Sequence, residues 1–87
     1  MIDKRYNVRR YITEFSNDTE ELIAEYDLSD FELEIFQNEF GESNSENPMF
    51  DCYQIKEQNV PFLKSYIDKE PNWNFSKNSY FVEASAI

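Results

Sequence analysis

The residues of this sequence that could do chemistry are almost all carboxylates. Eighteen Asp and Glu stand against eight Lys and Arg, which gives a net charge of −10 over 87 residues, and histidine is absent. Histidine is the only side chain that titrates near neutrality without perturbation, so acid–base catalysis would require carboxylates with shifted pKa values. A single glycine excludes a glycine-rich phosphate loop, and no Ser/His/Asp or Cys/His set can be assembled. The sequence therefore predicts a protein that is not an enzyme and uses no cofactor.

One acidic loop has oxygen-bearing side chains at nearly alternate positions, namely Glu42, Asn44, Glu46 and Asn47. This spacing superficially suits calcium, but the glycine of an EF-hand loop is absent and no bidentate glutamate closes the loop at the expected distance. We expect a solvated loop and no metal site.

Acidic and basic residues are separated along the chain. Residues 11–55 contain no Lys, Arg or His, and they hold thirteen carboxylates, from Glu14 to Asp51. Self-repulsion of this size opposes the compact state, so we expect the segment to face a cationic partner. The same field repels nucleic acid, and nucleic acid is therefore not an expected partner.

Half of the basic residues lie close together near the N-terminus: Lys4, Arg5, Arg9 and Arg10. Such a cluster could contact phosphates, but the surrounding negative charge argues against this function. We expect Arg9 or Arg10 to pair with carboxylates of the following strand instead. The candidates are Glu21, Glu25 and Asp27.

The single cysteine, Cys52, cannot form a disulfide within the chain, and no basic neighbour is present to lower the pKa of its thiol. Its place between Asp51 and Tyr53 predicts a buried small hydrophobe. The N-terminal residues are charged, and no uninterrupted apolar run exceeds four residues, which predicts neither a signal peptide nor a membrane span. Together these features predict a cytoplasmic protein without a membrane partner.

Hydrophobic periodicity predicts a single α+β domain over residues 1–87, in the order ββαβαβ, although residues 19–26 could also form a short helix. About four mainly antiparallel strands should carry two helices packed on one face. The predicted elements are strands at 6–15, 22–28, 49–55 and 80–84, and helices at 29–40 and 57–67. The predicted core includes Leu33, Phe36, Leu63, Tyr66 and Val82.

The first predicted helix starts with a capping box, Ser29 and Glu32, and ends at the only glycine, Gly41. It carries two apolar stripes, one with Phe36 at its centre and one formed by Phe31 and Ile35. Either both stripes are buried, or the second is an apolar anchor inside a rim of carboxylates, as in binding hot spots. On the second interpretation the candidate partner-binding residues are Asp27, Asp30, Phe31, Glu32, Glu34, Ile35 and Glu39.

The sequence resembles small acidic bacterial immunity proteins, which are encoded beside contact-dependent growth inhibition toxins and other polymorphic toxins. The resemblance is carried by DTEELIAEYDL at residues 18–28 with Asp30 and Phe31, by NPMFDCY at 47–53 and by YFVEA at 80–84. It implies a cytoplasmic monomer that binds a cognate basic toxin domain, commonly a nuclease, in a 1:1 complex and blocks its active site. The folds of such proteins differ widely, so the resemblance implies a role and no particular contact residues.

Three other functions are alternatives to this one. A nucleic-acid mimic that inhibits a restriction or CRISPR nuclease would show the same charge and the same lack of catalytic groups. An acidic chaperone for a secreted effector would need an exposed apolar groove. An enzyme would have to work with shifted carboxylates alone.

Overall fold

The computed structural model describes residues 2–87 and shows an antiparallel sheet of five strands that carries two helices. The strands are β1 (Ile2–Asp3), β2 (Val8–Ser16), β3 (Leu22–Asp27), β4 (Tyr53–Ile55) and β5 (Asn78–Ala86). Helix α1 spans Leu33–Glu39, and α2 spans Val60–Leu63 between two 3₁₀ turns, Glu57–Asn59 and Lys64–Tyr66. Helix α2 and its two 3₁₀ turns together form the second helical segment. The predicted α+β class is confirmed, whereas the strand number and order differ because β1 precedes the predicted elements.

Strand β2 lies at the centre of the sheet. It pairs with β5 along its whole length on one side, and with β3 and β1 on the other, while β4 adds to the outer edge of β5. β-Branched and aromatic residues make up five of the nine residues of β2, and three of them in a row, Tyr80, Phe81 and Val82, form the middle of β5, which suits long central strands. The hairpin between β2 and β3 is the one predicted. The Ser16 hydroxyl stabilises its turn by accepting hydrogen bonds from the backbone amides of Asp18 and Thr19, both at 3.2 Å.

One face of the sheet carries the core. Ile12 on β2 is opposite Val82 on β5, and both belong to the same buried cluster as Phe36 of α1 and Leu63 of α2. Both helices therefore pack on this face. Of the predicted core residues, Leu33, Phe36, Leu63 and Val82 are buried, and Tyr66 is half-buried against the cluster.

Helix α1 begins three residues later than the capping-box pattern predicts. Asp30 has a φ of 56°, which a right-handed α-helix does not permit, and the N-cap residue is Glu32. The Ser29 hydroxyl instead lies 3.4 Å from the carbonyl of Tyr66 and joins α1 to the second helical segment. At the other end the prediction is confirmed, because Gly41 follows the helix with a φ of 73°, a left-handed conformation that glycine adopts without strain.

Strand β4 is shorter than predicted. Met49 has a φ of 55°, and its carbonyl accepts a hydrogen bond from the Arg10 guanidinium at 2.9 Å, so the chain cannot join the sheet there. The side chains of Tyr53 and Ile55 on β4 pack against the core, whereas Cys52, which precedes the strand, is exposed. The prediction that Cys52 is buried is therefore wrong. Within residues 2–87 no helix has the length and apolar character needed to cross a membrane.

Candidate protein-binding surface

The thirteen carboxylates between Glu14 and Asp51 lie mostly at the surface. Ten of them are exposed, Glu39 and Glu42 are half-buried, and Glu14 is buried. Exposure in water removes much of the repulsion between neighbouring charges, so the fold tolerates this density. The surface is correspondingly anionic.

Arg9 neutralises two of these carboxylates, as the sequence predicts. Its guanidinium lies 2.8 Å from Glu25 on β3 and 2.8 Å from Asp27, and it covers the ring of Tyr11 at 4.1 Å. The hydrogen bond from Arg9 is the main cause of a lowered pKa of Asp27. Pairing of this kind reduces the charge that Glu25 and Asp27 offer to a partner.

Arg10 has a different role from the one considered for it. Its side chain is fully buried on the core face, 3.1 Å from Asp3, and stacks on Phe31 with 4.3 Å between the guanidinium carbon and the ring centre. Burial lowers the pKa of Arg10, and the contact with Asp3 acts in the opposite direction. Arg10 therefore holds the first strands and the segment before α1 together, and it does not face β3.

The remaining exposed carboxylates offer their full charge to solvent. Within the described residues 2–87, none of the following seven lies within ion-pair distance of a basic side chain: Asp18, Glu20, Glu21, Asp30, Glu32, Glu46 and Asp51. Five of them lie close in sequence to the β2–β3 turn or to the start of α1. These two regions are the candidates for contact with a cationic partner.

The structure divides the predicted anchor pair on α1. Ile35 is 40 % exposed, but Phe31 is only 8 % exposed, between Arg10 and the ring of Phe36, whose centre is 4.4 Å away. Phe31 therefore belongs to the core, and its assignment as an exposed anchor is wrong. Ile35 is the one member of the pair that a partner can reach.

The predicted carboxylates around α1 are not equivalent. Asp30 and Glu32 are exposed and unpaired within residues 2–87, whereas Glu34 forms an ion pair with Arg5 at 3.1 Å. A backbone hydrogen bond and the Arg5 guanidinium lower the pKa of Glu34. Glu39 accepts a hydrogen bond from the buried Asn59 amide at 2.8 Å and so connects α1 to the second helical segment. Only part of the predicted rim is free to bind.

The sheet face opposite the core also exposes aromatic rings. Tyr11 and Phe15 on β2 and Phe81 on β5 are half-buried, and they lie outside the hydrophobic cluster that the helices complete. Phe15 and Phe81 meet edge to face with their ring centres 6.0 Å apart. The alternation in β2 places Tyr11 and Phe15 on the face opposite Ile12, so the sequence carried this signal, but it did not show that the helices leave this face open.

A cleft lies at the turn end of this open face. Its volume is about 380 Å³, and its walls are formed by Phe15, Ser16, Asn17, Glu20, Ser79 and Phe81. Glu20 has a φ of 62°, and its amide donates to the Ser16 carbonyl at 2.8 Å, so the backbone that carries this carboxylate is fixed by the turn. The cleft therefore joins two aromatic rings to one unpaired carboxylate.

Glu14 on β2 is used inside the fold. It is buried and accepts hydrogen bonds from Tyr26 at 2.6 Å, Asn78 at 2.7 Å and Tyr80 at 3.0 Å. Burial, with a smaller effect of Glu14, raises the pKa of Tyr26 to about 12. Three donors thus satisfy this carboxylate without a cation, and its role is structural.

The acidic loop that superficially suits calcium is organised by its own hydrogen bonds. Glu42 accepts from the Tyr53 hydroxyl at 2.8 Å and from the Asn47 amide at 2.7 Å, and these donors occupy the oxygen a metal would need. The hydrogen bonds that Glu42 accepts from the Asn44 backbone amide and from the Tyr53 hydroxyl lower the pKa of Glu42. In the part of the chain described, 2–87, no three Asp, Glu or Cys side chains are grouped as metal ligands.

Cys52 is exposed but not activated. Partial burial and the nearby carboxylates Glu83 and Asp51 raise the pKa of its thiol. A thiol reacts as the thiolate, so Cys52 is a poor nucleophile at neutral pH.

No curated protein and no solved structure shows significant similarity to the chain. A family model described as a domain of unknown function, DUF7683, matches residues 9–83, and the chain therefore belongs to this family.

Proposed function

We propose that this protein is an immunity-type inhibitor that binds a cognate basic toxin domain, of the nuclease class, and neutralises it by covering its active site. The observation that carries the proposal is the set of seven exposed carboxylates without an ion-pair partner in residues 2–87. The protein acts as a cytoplasmic monomer and forms a 1:1 complex.

Electrostatic steering gives the proposal its physical basis. A nuclease must attract phosphates, so its cleft is cationic, and a carboxylate-rich surface is drawn into that cleft. Steered association reaches about 10⁸–10⁹ M⁻¹s⁻¹ at low salt, compared with about 10⁵–10⁶ M⁻¹s⁻¹ for uncharged surfaces. A protein that must capture a toxin before it cuts nucleic acid benefits directly from this rate.

The face around the start of α1 supplies one part of the binding surface. Asp30 and Glu32 carry unpaired charge there, and Ile35 adds an exposed apolar side chain. Asp27 and Glu34 contribute less, because Arg9 and Arg5 already neutralise them.

The proposal expects a toxin domain to be encoded next to the gene for this protein, and the test is co-expression with that domain. We expect growth to be restored and the purified toxin to lose activity at a molar ratio of 1:1. The rate of association should fall steeply as salt is raised from about 50 to 500 mM, because the interacting charges are exposed and screened.

The outcome that would contradict the proposal is a toxin domain that stays fully active in the presence of a stoichiometric excess of folded protein. A nucleic-acid mimic gives a different result in the same design. It would leave the neighbouring toxin active and protect phage DNA from a restriction or CRISPR nuclease.

A further inference from the structure

We propose that the cleft lined by Phe15, Phe81 and Glu20 at the turn end of the open face binds an arginine side chain of the cationic partner. This inference rests on the proposed function for the partner's charge, and it moves the centre of the interface from α1 to the turn end of the sheet. The guanidinium would lie against the aromatic rings and face the carboxylate of Glu20.

The aromatic rings of the open face have no structural use in the core. Tyr11, Phe15 and Phe81 remain partly exposed, and neither helix contributes a residue that covers them. Aromatic residues at the centre of a surface patch are typical of binding hot spots, because they bury a large area when a partner docks.

Carboxylates outnumber basic residues on this face and its turn. Six carboxylates lie there, Asp18, Glu20 and Glu21 in the turn and Glu25, Asp27 and Glu83 on the strands. The basic residues are Arg9 on β2 and Lys77, whose carbonyl accepts a hydrogen bond from the Asn17 amide beside the turn. Arg9 is already held by Glu25 and Asp27. Glu20, at the opposite end, has no ion-pair partner within residues 2–87. A second copy of the chain would bring a further charge of −10 and would be repelled, so a cationic partner is the occupant that fits.

The chain itself binds guanidinium groups in the same way. Arg9 stacks on Tyr11 and contacts carboxylates, and Arg10 stacks on Phe31 and contacts Asp3. Each site combines an aromatic ring with a carboxylate. The cleft has the same combination, in Phe81 and Glu20, and no arginine of the described chain lines it. A planar guanidinium suits such a site better than an ammonium group.

The test is a titration of ¹⁵N-labelled protein with a hexa-arginine peptide, followed by amide chemical shifts. The neutral control is the same peptide with citrulline in place of arginine, which keeps the shape and removes the charge. We expect the largest shift changes at Phe15, Glu20 and Phe81, smaller changes at Asp30 and Glu32, and none with the citrulline peptide.

Two variants locate the contact. Glu20→Asn keeps a residue that tolerates positive φ and removes the charge, and it should weaken peptide binding by about twofold to fivefold. Phe81→Leu keeps an apolar side chain but removes the aromatic ring, and it should weaken peptide binding by about twofold to fivefold. The matched control is Glu46→Gln, which removes one exposed, unpaired carboxylate from the distant loop and should leave the affinity unchanged.

The proposal is overturned if the shift changes centre on Asp30 and Glu32, if the peptide changes no shift, or if Glu46→Gln weakens binding as much as Glu20→Asn. Its failure is distinguishable from failure of the proposed function. If the wild type and the Glu20→Asn and Phe81→Leu variants neutralise the toxin equally well, the proposed function stands and the cleft is not part of the interface. If the arginine peptide binds in the cleft but the protein does not inhibit the toxin, the cleft assignment stands and the proposed function fails.

Discussion

Truncation of Phe36 to alanine tests the orientation of helix α1, on which the assignment of the whole surface depends. The Phe36 ring is fully buried and lies within 4.4 to 6.1 Å, centre to centre, of four other rings: Phe31, Phe40, Phe62 and Tyr66. Its removal leaves a cavity that these rings cannot fill together, and such changes cost about 3–5 kcal/mol. At about 0.05–0.15 kcal/mol per residue, a chain of this length has a total stability of roughly 4–13 kcal/mol, so the loss is a large fraction of it.

The assay is thermal unfolding of the Phe36→Ala variant beside Ile35→Ala. A loss of 1 kcal/mol shifts the midpoint by about 4–8 °C in a domain of this size, so Phe36→Ala should lower it by at least about 12 °C. Ile35 is 40 % exposed, and its truncation should change the midpoint by less than about 4 °C. Comparable losses in the two variants, or a larger loss for Ile35→Ala, would refute the orientation of α1 described here.

Four further results are expected. The purified protein should shift neither duplex DNA nor RNA in an electrophoretic mobility assay at low salt, because its field repels phosphates. Against the cognate toxin, Glu32→Gln should slow association and flatten its salt dependence more than Glu34→Gln does, since Arg5 already neutralises Glu34. The pairing with Arg9 lowers the pKa of Asp27, so it stabilises the folded state at pH values above 3.8, the ordinary pKa of an aspartate. This stabilisation is lost as the pH falls through the lowered pKa, which urea unfolding between pH 7 and pH 2 measures. Asp27→Asn should therefore remove part of the acid dependence of stability. Glu14→Ala should cost at least about 2 kcal/mol of unfolding free energy in a urea titration, because it leaves two tyrosine hydroxyls and an asparagine amide without their acceptor.

The sequence predicts the central elements of the fold well because their periodicity reflects burial on one face. Apolar and polar residues roughly alternate in strands β2, β3 and β5. Pro61 occurs in the first turn of α2, where a missing amide is tolerated. Strand β1 escaped prediction because two residues carry no periodicity. The end of β4 was misplaced because Met49 adopts a left-handed backbone that is stabilised by Arg10, a contact between residues far apart in sequence.

The candidate surface was harder to predict because it depends on which carboxylates find partners. The hairpin predicts that Arg9 or Arg10 faces Glu21, Glu25 or Asp27. The structure confirms this for Arg9, which pairs with Glu25 and Asp27. No local pattern predicts that Arg10 stacks on Phe31 in the interior, since this contact spans the sheet and the segment before α1. The burial of Phe31, which removes it from the candidate anchors, follows from the same contact.

Three residues of the N-terminal basic cluster, Arg5, Arg9 and Arg10, are already paired with carboxylates within the fold. Arg10 is also buried among rings. These cations are therefore committed within the fold and are poorly placed to attract phosphates. The unpaired carboxylates at the β2–β3 turn and at the start of α1 then determine what approaches the surface. Because exposed charges act mainly on encounter, the lifetime of a complex must come from apolar contacts. The open-face rings can provide them, together with exposed apolar side chains such as Leu22, Ile23, Ile35 and Phe50.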